Sequence, residues 1–193
     1  ILSRAAVQDY TLKDKIGEDI TDMTVGIVGT GKIATAAARQ LSGFGCTILY
    51  YGHHENEEMA RFGTQVPLEE LLTRSDAITL HTNATDANHH MIDAAAMETM
   101  KDGVILVNTA RGGLVDENAL VEALESGKLR YAAVDVVSKE PMPLDNPLLK
   151  TRKCIITPHI AWAPVESRQR LMDCVEDNIR SYLSGHPQNL VNM

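Results

Sequence analysis

Short apolar runs alternate with amphipathic stretches along most of this chain. The runs are residues 25–28, Thr47–Tyr51, Ala77–Leu80, 104–107, 132–137 and Cys154–Ile156. None alternates cleanly between apolar and polar, so each reads as a strand buried on both faces. Between them lie segments of helical pattern: Lys32–Ser42, about 56–62, and a stretch through Met100 that Asp93 would cap. Asp116 would cap another, with Ala119, Leu120, Ala123 and Leu124 on one face. Residues 66–72 read as a short strand end feeding a helix, with Pro67 near its first turn. A long amphipathic helix is predicted over 164–183, ending at Gly185 with Pro187 beyond it. The alternation predicts an α/β fold, a doubly wound parallel sheet with helices on both faces. Residues 138–150, with Pro141, Pro143 and Pro147, form the longest loop-like stretch, and loops of that length tend to be functional.

The first strand candidate runs into Gly29-Thr30-Gly31-Lys32-Ile33-Ala34, the Gly-x-Gly-x-x-Ala form of the dinucleotide fingerprint. The motif leaves a strand and opens a helix, which is the context it needs. Gly29 would permit the tight turn, Gly31 the approach of a pyrophosphate, and Ala34 close packing of helix on sheet. The phosphates would rest on the free N–H groups at the helix start, in the Thr30, Lys32 and Ile33 region. The expected architecture is therefore Rossmann-type, a single cofactor-binding domain. An acid about 20 residues beyond such glycines usually bonds the ribose 2′-hydroxyl. Here the second strand ends Tyr50-Tyr51-Gly52-His53-His54, with Glu55 three positions late. Gly52 in place of the acid leaves NAD and NADP both open. His53 and His54 belong either to the cofactor site or to a solvated turn.

Composition narrows the picture modestly. The chain has 193 residues, 44% of them hydrophobic but only 4% aromatic, so its core is aliphatic and of single-domain size. A formal charge of −8 argues against a nucleic-acid surface. No run approaches the ~18–20 apolar residues of a membrane span. Cys46, Cys154 and Cys174 lie far apart and predict reduced, mostly buried thiols in a cytoplasmic protein. The first residue is Ile1, which fits either a processed product or an excised fragment.

Three polar groups follow the ends of later strand candidates: Arg111, Glu140 and His159. In an open α/β sheet that edge is where ligands bind. The surrounding text is Asn-Thr-Ala-Arg-Gly-Gly-Leu-Val-Asp-Glu-Asn-Ala-Leu at 108–120, Asp-Val-Val-Ser-Lys-Glu-Pro at 135–141, and Thr-Pro-His-Ile-Ala-Trp at 157–162. These motifs, in this order, closely resemble the D-isomer-specific 2-hydroxyacid dehydrogenases, from about Ile20 to the end of the chain. The resemblance implies that His159 is the general acid/base, that Glu140 pairs with it, and that Arg111 binds the substrate carboxylate or carbonyl. It implies that Asp135 holds the nicotinamide carboxamide, although an Asp at a strand end can also simply cap a turn. Thr109, Ala110, Arg111 and His159 would join the glycine turn in contacting the cofactor. His81 lies on the same edge with its role open. His89 and His90 read as surface residues, and no metal is expected. Trp162 lines either a substrate pocket or a packed core.

By the same resemblance, residues 1–19 are an inter-domain linker, 20–163 the dinucleotide-binding domain, and 164–193 a helix and tail at the boundary with a substrate domain this chain lacks. That helix should expose an apolar face and favour self-association. The expectation is an NAD(P)-dependent reductase of a small 2-oxo acid such as glyoxylate or hydroxypyruvate, probably only its cofactor half, and a homodimer. The competing reading is a dinucleotide-sensing binding protein on the same fold, like the corepressors that resemble this family.

Overall fold

The structure is a computed structural model, and it describes residues 19–191. The expected linker, 1–19, therefore lies almost wholly outside the described residues. Seven parallel strands form one sheet: β1 (Thr24–Val28), β2 (Thr47–Tyr51), β3 (Thr64–Gln65), β4 (Ala77–Leu80), β5 (Val104–Asn108), β6 (Leu129–Val134) and β7 (Cys154–Ile156). Their order is β3-β2-β1-β4-β5-β6-β7. The chain winds outward from β1 to β3, then returns to place β4 on the other side of β1. Because every pairing is parallel, all strand carboxyl ends share one edge. The reversal between β1 and β4 opens a crevice there, the usual ligand position in such sheets.

The absence of in–out alternation now has its cause. Val25 and Ile27 of β1, with Ile48 and Tyr50 of β2, enter one apolar cluster. Val28 and Leu49 enter the other, with Ile78, Leu80 and Leu106. Both faces are covered, so both sets of alternate positions are apolar. Helix α1 (Lys32–Ser42) packs Ala34 and Ala38 onto the first face. Helices α2 (Leu68–Arg74), α3 (Ala94–Thr99) and α4 (Glu117–Ser126) contribute Leu71, Leu72, Met97, Leu120 and Leu124 to the second. Asp93 and Asp116 cap α3 and α4, each accepting from backbone N–H groups of the first turn.

Three sequence expectations are corrected. Residues 56–62 form no α-helix, only a 3-10 turn at Met59–Arg61, because Met59 alone of that segment is buried and Asn56 spends its side chain on the loop beside it. Strand β6 runs Leu129–Val134, not 132–137. Val136 and Val137 are buried but follow the Asp135 turn, so apolarity there marks a buried loop. Of the thiols, only Cys46 is buried; Cys174 is exposed, while Cys154 lies between and burial pushes its thiol up to about 11.

The last helix, α5 (Val165–Leu183), has no buried residue. Leu171, Met172, Val175, Ile179 and Tyr182 form an exposed apolar stripe along it, as the sequence predicted.

Candidate functional site

The glycine turn is built as its sequence requires. Gly29 has φ +121°, and a Cβ there would meet the His81 carbonyl oxygen at 2.4 Å. Its N–H donates to the Tyr51 carbonyl at 2.8 Å, tying the turn to the end of β2. Gly31 is the N-cap of α1, offers no side-chain cap, and faces open space where a Cβ would point. The first N–H groups of α1 thus lack a side-chain partner beside an open cradle, which fits a pyrophosphate. Thr30, Lys32 and Ile33 flank it, and Ile33 is 71% exposed at the helix start.

A cavity of 360 Å³ adjoins this turn, lined by Gly29, Thr30, Gly52, His53 and His54 among others. The expected cofactor residues of the first two strands therefore converge. Sequence reasoning missed Asn56. Its Nδ2 donates to the Thr30 carbonyl at 2.8 Å and lies 3.2 Å from Thr35 Oγ1, while its Oδ1 accepts from the Met59 N–H. Thr35 Oγ1 in turn donates to the Gly31 carbonyl. An Asn inside a polar loop has no pattern that announces such a role.

At the other half of the edge, His159 Nδ1 lies 2.7 Å from Glu140 Oε2. The pair is half-exposed, and beside it a cavity of 560 Å³ runs between the loops after β6 and β7, with Asp135, Met142 and Pro158 in its lining. The bond to His159 is the main cause that holds the Glu140 carboxyl below its ordinary value, so the pair is poised as carboxylate and imidazole. With Nδ1 engaged by Glu140, Nε2 is the ring nitrogen left for a ligand.

The backbone of His159 is left-handed, φ +53°. Asp135 holds it so: its carbonyl accepts from the His159 N–H at 2.8 Å. Its buried carboxylate accepts from Thr157 Oγ1, from the Ile160 N–H at 3.0 Å and from the Ala161 N–H at 2.8 Å. Burial alone would raise the Asp135 carboxyl. The hydrogen bonds from Thr157, Ala161 and Ile160, with the charge of His159, outweigh burial and bring it below its ordinary value. Asp135 thus organises the turn that carries the imidazole.

The Glu140 loop is held from a different direction. Glu117, in the first turn of α4, accepts from Ser138 N–H at 2.6 Å, Ser138 Oγ at 2.9 Å and Asn146 Nδ2 at 2.9 Å. Gly112 lies against the same loop so closely that a Cβ would sit 2.0 Å from the Val137 carbonyl. The segment bearing Arg111 and the one bearing Glu140 are therefore packed backbone to backbone.

Arg111 stands apart from the pair. Its exposed guanidinium donates to the Ala110 carbonyl at 2.7 Å, and it lines neither cavity. Buried Asn108 shapes its loop, accepting from the Ala110 N–H and donating to the Arg111 carbonyl. Thr109 is exposed on that loop. His81 is half-buried, its Nε2 3.0 Å from Thr79 Oγ1, and burial lowers its pKa, keeping it neutral. His89 and His90 stack at 3.8 Å on a surface turn. Trp162 is 58% exposed, which removes the packed-core alternative, and its indole N–H donates to the His159 carbonyl.

Residues 3–161 match the family described as D-isomer specific 2-hydroxyacid dehydrogenase, NAD binding domain. The chain belongs to this family. It is 42% identical over 185 residues to a hydroxypyruvate reductase of Blautia hydrogenotrophica, covering 95% of this chain and 56% of that protein. It is 43% identical over 180 residues to a glyoxylate reductase of Korarchaeum cryptofilum, covering 92% and 54%. The crystal structure of D-lactate dehydrogenase with NAD+ from Lactobacillus jensenii superimposes with a TM-score of 0.91 at 28% identity, covering 100% of this chain and 62% of that one. The chain therefore spans a little over half the length of the curated relatives it matches.

Proposed function

We propose that the chain is the dinucleotide-binding part of an NAD(P)-dependent oxidoreductase that interconverts a small 2-oxo acid and its D-2-hydroxy acid. The observation that carries this is the 2.7 Å His159–Glu140 pair, standing beside a cavity on the sheet edge that also holds the glycine turn. The nicotinamide, when bound, supplies or takes up the hydride. His159 does the proton work. In the reductive direction its Nε2–H gives a proton to the substrate oxygen, and in the oxidative direction Nε2 removes the hydroxyl proton. Glu140 fixes the ring and favours its protonated form. Arg111, once turned from its own loop, pairs with the substrate carboxylate or carbonyl. Asp135 positions His159, and its Oδ2, with one backbone donor, retains capacity for the nicotinamide carboxamide. Thr109 and Ala110 pass close to the cofactor on the Arg111 loop.

The organisation that goes with this reading is a linker through residue 19, the dinucleotide-binding domain over 20–163, and a boundary helix and tail from 164. A substrate domain would cover the site from the side of α5, in a cytoplasmic homodimer. The relatives' names point to glyoxylate or hydroxypyruvate as first substrates to assay.

The test is His159→Asn in a polypeptide completed to the relatives' length. Turnover of glyoxylate or hydroxypyruvate should fall by about 10²–10⁴, the usual worth of a placed acid/base. Cofactor affinity should stay the same. Turnover within threefold of the parent would sink the proposal, and a dinucleotide sensor would show no turnover in either protein.

A further inference from the structure

We propose that the ribose end of this site accepts a 2′-phosphate, so that the chain binds NADPH at least as tightly as NADH, and that Thr30 sets this preference. The inference rests on the dinucleotide-binding reading above and concerns which dinucleotide is taken.

The first support is steric. Position 52 is where an acid would engage a ribose hydroxyl. A Cβ at Gly52 would lie 2.4 Å from Thr30 Cγ2, 2.6 Å from Thr30 Oγ1 and 3.1 Å from Thr30 Cβ. Two of the three staggered positions about the Thr30 χ1 bond therefore collide with any side chain at 52. Threonine carries two heavy substituents there, so every rotamer leaves at least one of them in a colliding position. Backbone movement is resisted as well, because Asn56 pins the Thr30 carbonyl and Gly29 N–H is bonded to Tyr51. Thr30 and a carboxylate at 52 exclude each other.

The second support is the balance of donors and acceptors. The Tyr51 carbonyl already accepts from Gly29, and the Gly52 carbonyl accepts from Gln65 Nε2 at 3.0 Å. The acceptors that a ribose 2′-hydroxyl would use are thus engaged. Among the described residues no carboxylate lines the cavity, and Glu55 stays outside it. What the lining offers instead are donors: the Thr30 hydroxyl and the His53 and His54 imidazoles. His53 is set edge-on to Tyr51, with ring centroids 5.7 Å apart, which places one imidazole at the strand end. A phosphate monoester is rich in acceptors and suits such a lining. A hydroxyl that seeks an acceptor does not. No Lys or Arg lines the cavity, so the preference should be moderate and not absolute.

The experiment is a calorimetric titration of the 193-residue chain with NADH, NADPH, 5′-AMP and adenosine 2′,5′-bisphosphate. The last two differ only in the 2′-phosphate. The expected result is a Kd for NADPH equal to or below that for NADH, with the bisphosphate binding more tightly than AMP. Tenfold or greater preference for NADH overturns the proposal and leaves the dinucleotide reading standing. Binding of none of the four ligands overturns both. Two variants test Thr30. Gly52→Asp alone should lower Tm and weaken both cofactors without reversing their order. Thr30→Gly with Gly52→Asp removes every colliding atom and should shift the NADH:NADPH affinity ratio by tenfold or more toward NADH. A Gly52→Asp protein with parental Tm and NADH selectivity would refute the role of Thr30, as would a double variant with an unshifted ratio.

Discussion

Replacing Asp135 with Ala would leave three donors facing an apolar methyl: the Thr157 hydroxyl and the Ile160 and Ala161 N–H groups. A buried donor stripped of its partner costs about 1–3 kcal/mol. Residues 157, 160 and 161 are themselves exposed, so water can reach part of the turn, and the low end of that range applies to each. The sum is about 3 kcal/mol. For a chain of this size, that corresponds to a Tm lower by about 6–12 °C. Thermal and urea unfolding of parent and Asp135→Ala chains at pH 7, followed by circular dichroism, would measure it. Should the two chains agree within about 0.5 kcal/mol, the magnitude of an ordinary surface change, the carboxylate would not be holding the His159 turn. A double-mutant cycle with Thr157→Val would then locate the error.

Acidification should erase that difference. The native Asp135 carboxyl lies below its ordinary value, so its contribution is complete above about pH 5 and disappears as pH falls through the native value, below the ~3.9 of an unfolded Asp. Parent and Asp135→Ala unfolding energies measured from pH 7 down to pH 2 should therefore converge, and a constant gap would contradict the hydrogen-bonded carboxylate. Gly112→Ala would push a methyl into the Val137 carbonyl at 2.0 Å, with backbone on both sides and nothing to swing away. A loss of at least about 3 kcal/mol, the upper range for overpacking, is expected in urea titrations; parental stability would mean that the two loops are not in contact. Asn56→Ala should weaken dinucleotide binding at least fivefold in calorimetry through a loosened Thr30 turn, and unchanged affinity would remove Asn56 from the site.

The parts of the fold that depend on local pattern were legible in advance. Strand–helix alternation sufficed for the layers, and the glycine turn located the first strand's end to the residue. Asp93 and Asp116 were readable as caps because capping needs only a side chain and its next turn. The pairing of Glu140 with His159 came from motif resemblance, since 19 residues of intervening chain hide any such contact from periodicity. Other features depended on atoms brought together by tertiary packing. Val136 and Val137 looked like strand because buried loops are as apolar as buried strands. Gly52 looked like an unexplained departure until Thr30 was seen to fill the space above it. Asn56, Asn108 and Glu117 gave no signal, because a polar residue that braces a loop is indistinguishable in sequence from one that faces water.

The left-handed backbone at His159 narrows what evolution or an experimenter can put there. An L-residue at φ +53° is strained unless its side chain is Gly or one of the few, such as Asn and Asp, that visit this region readily. Alanine would remove the imidazole and also free the backbone to relax toward negative φ, carrying Trp162 and the mouth of α5 with it. Asparagine would remove the proton chemistry and leave the path of the chain alone. The difference in Tm between the two variants therefore reads out the conformational energy stored at this one position, independently of any turnover assay.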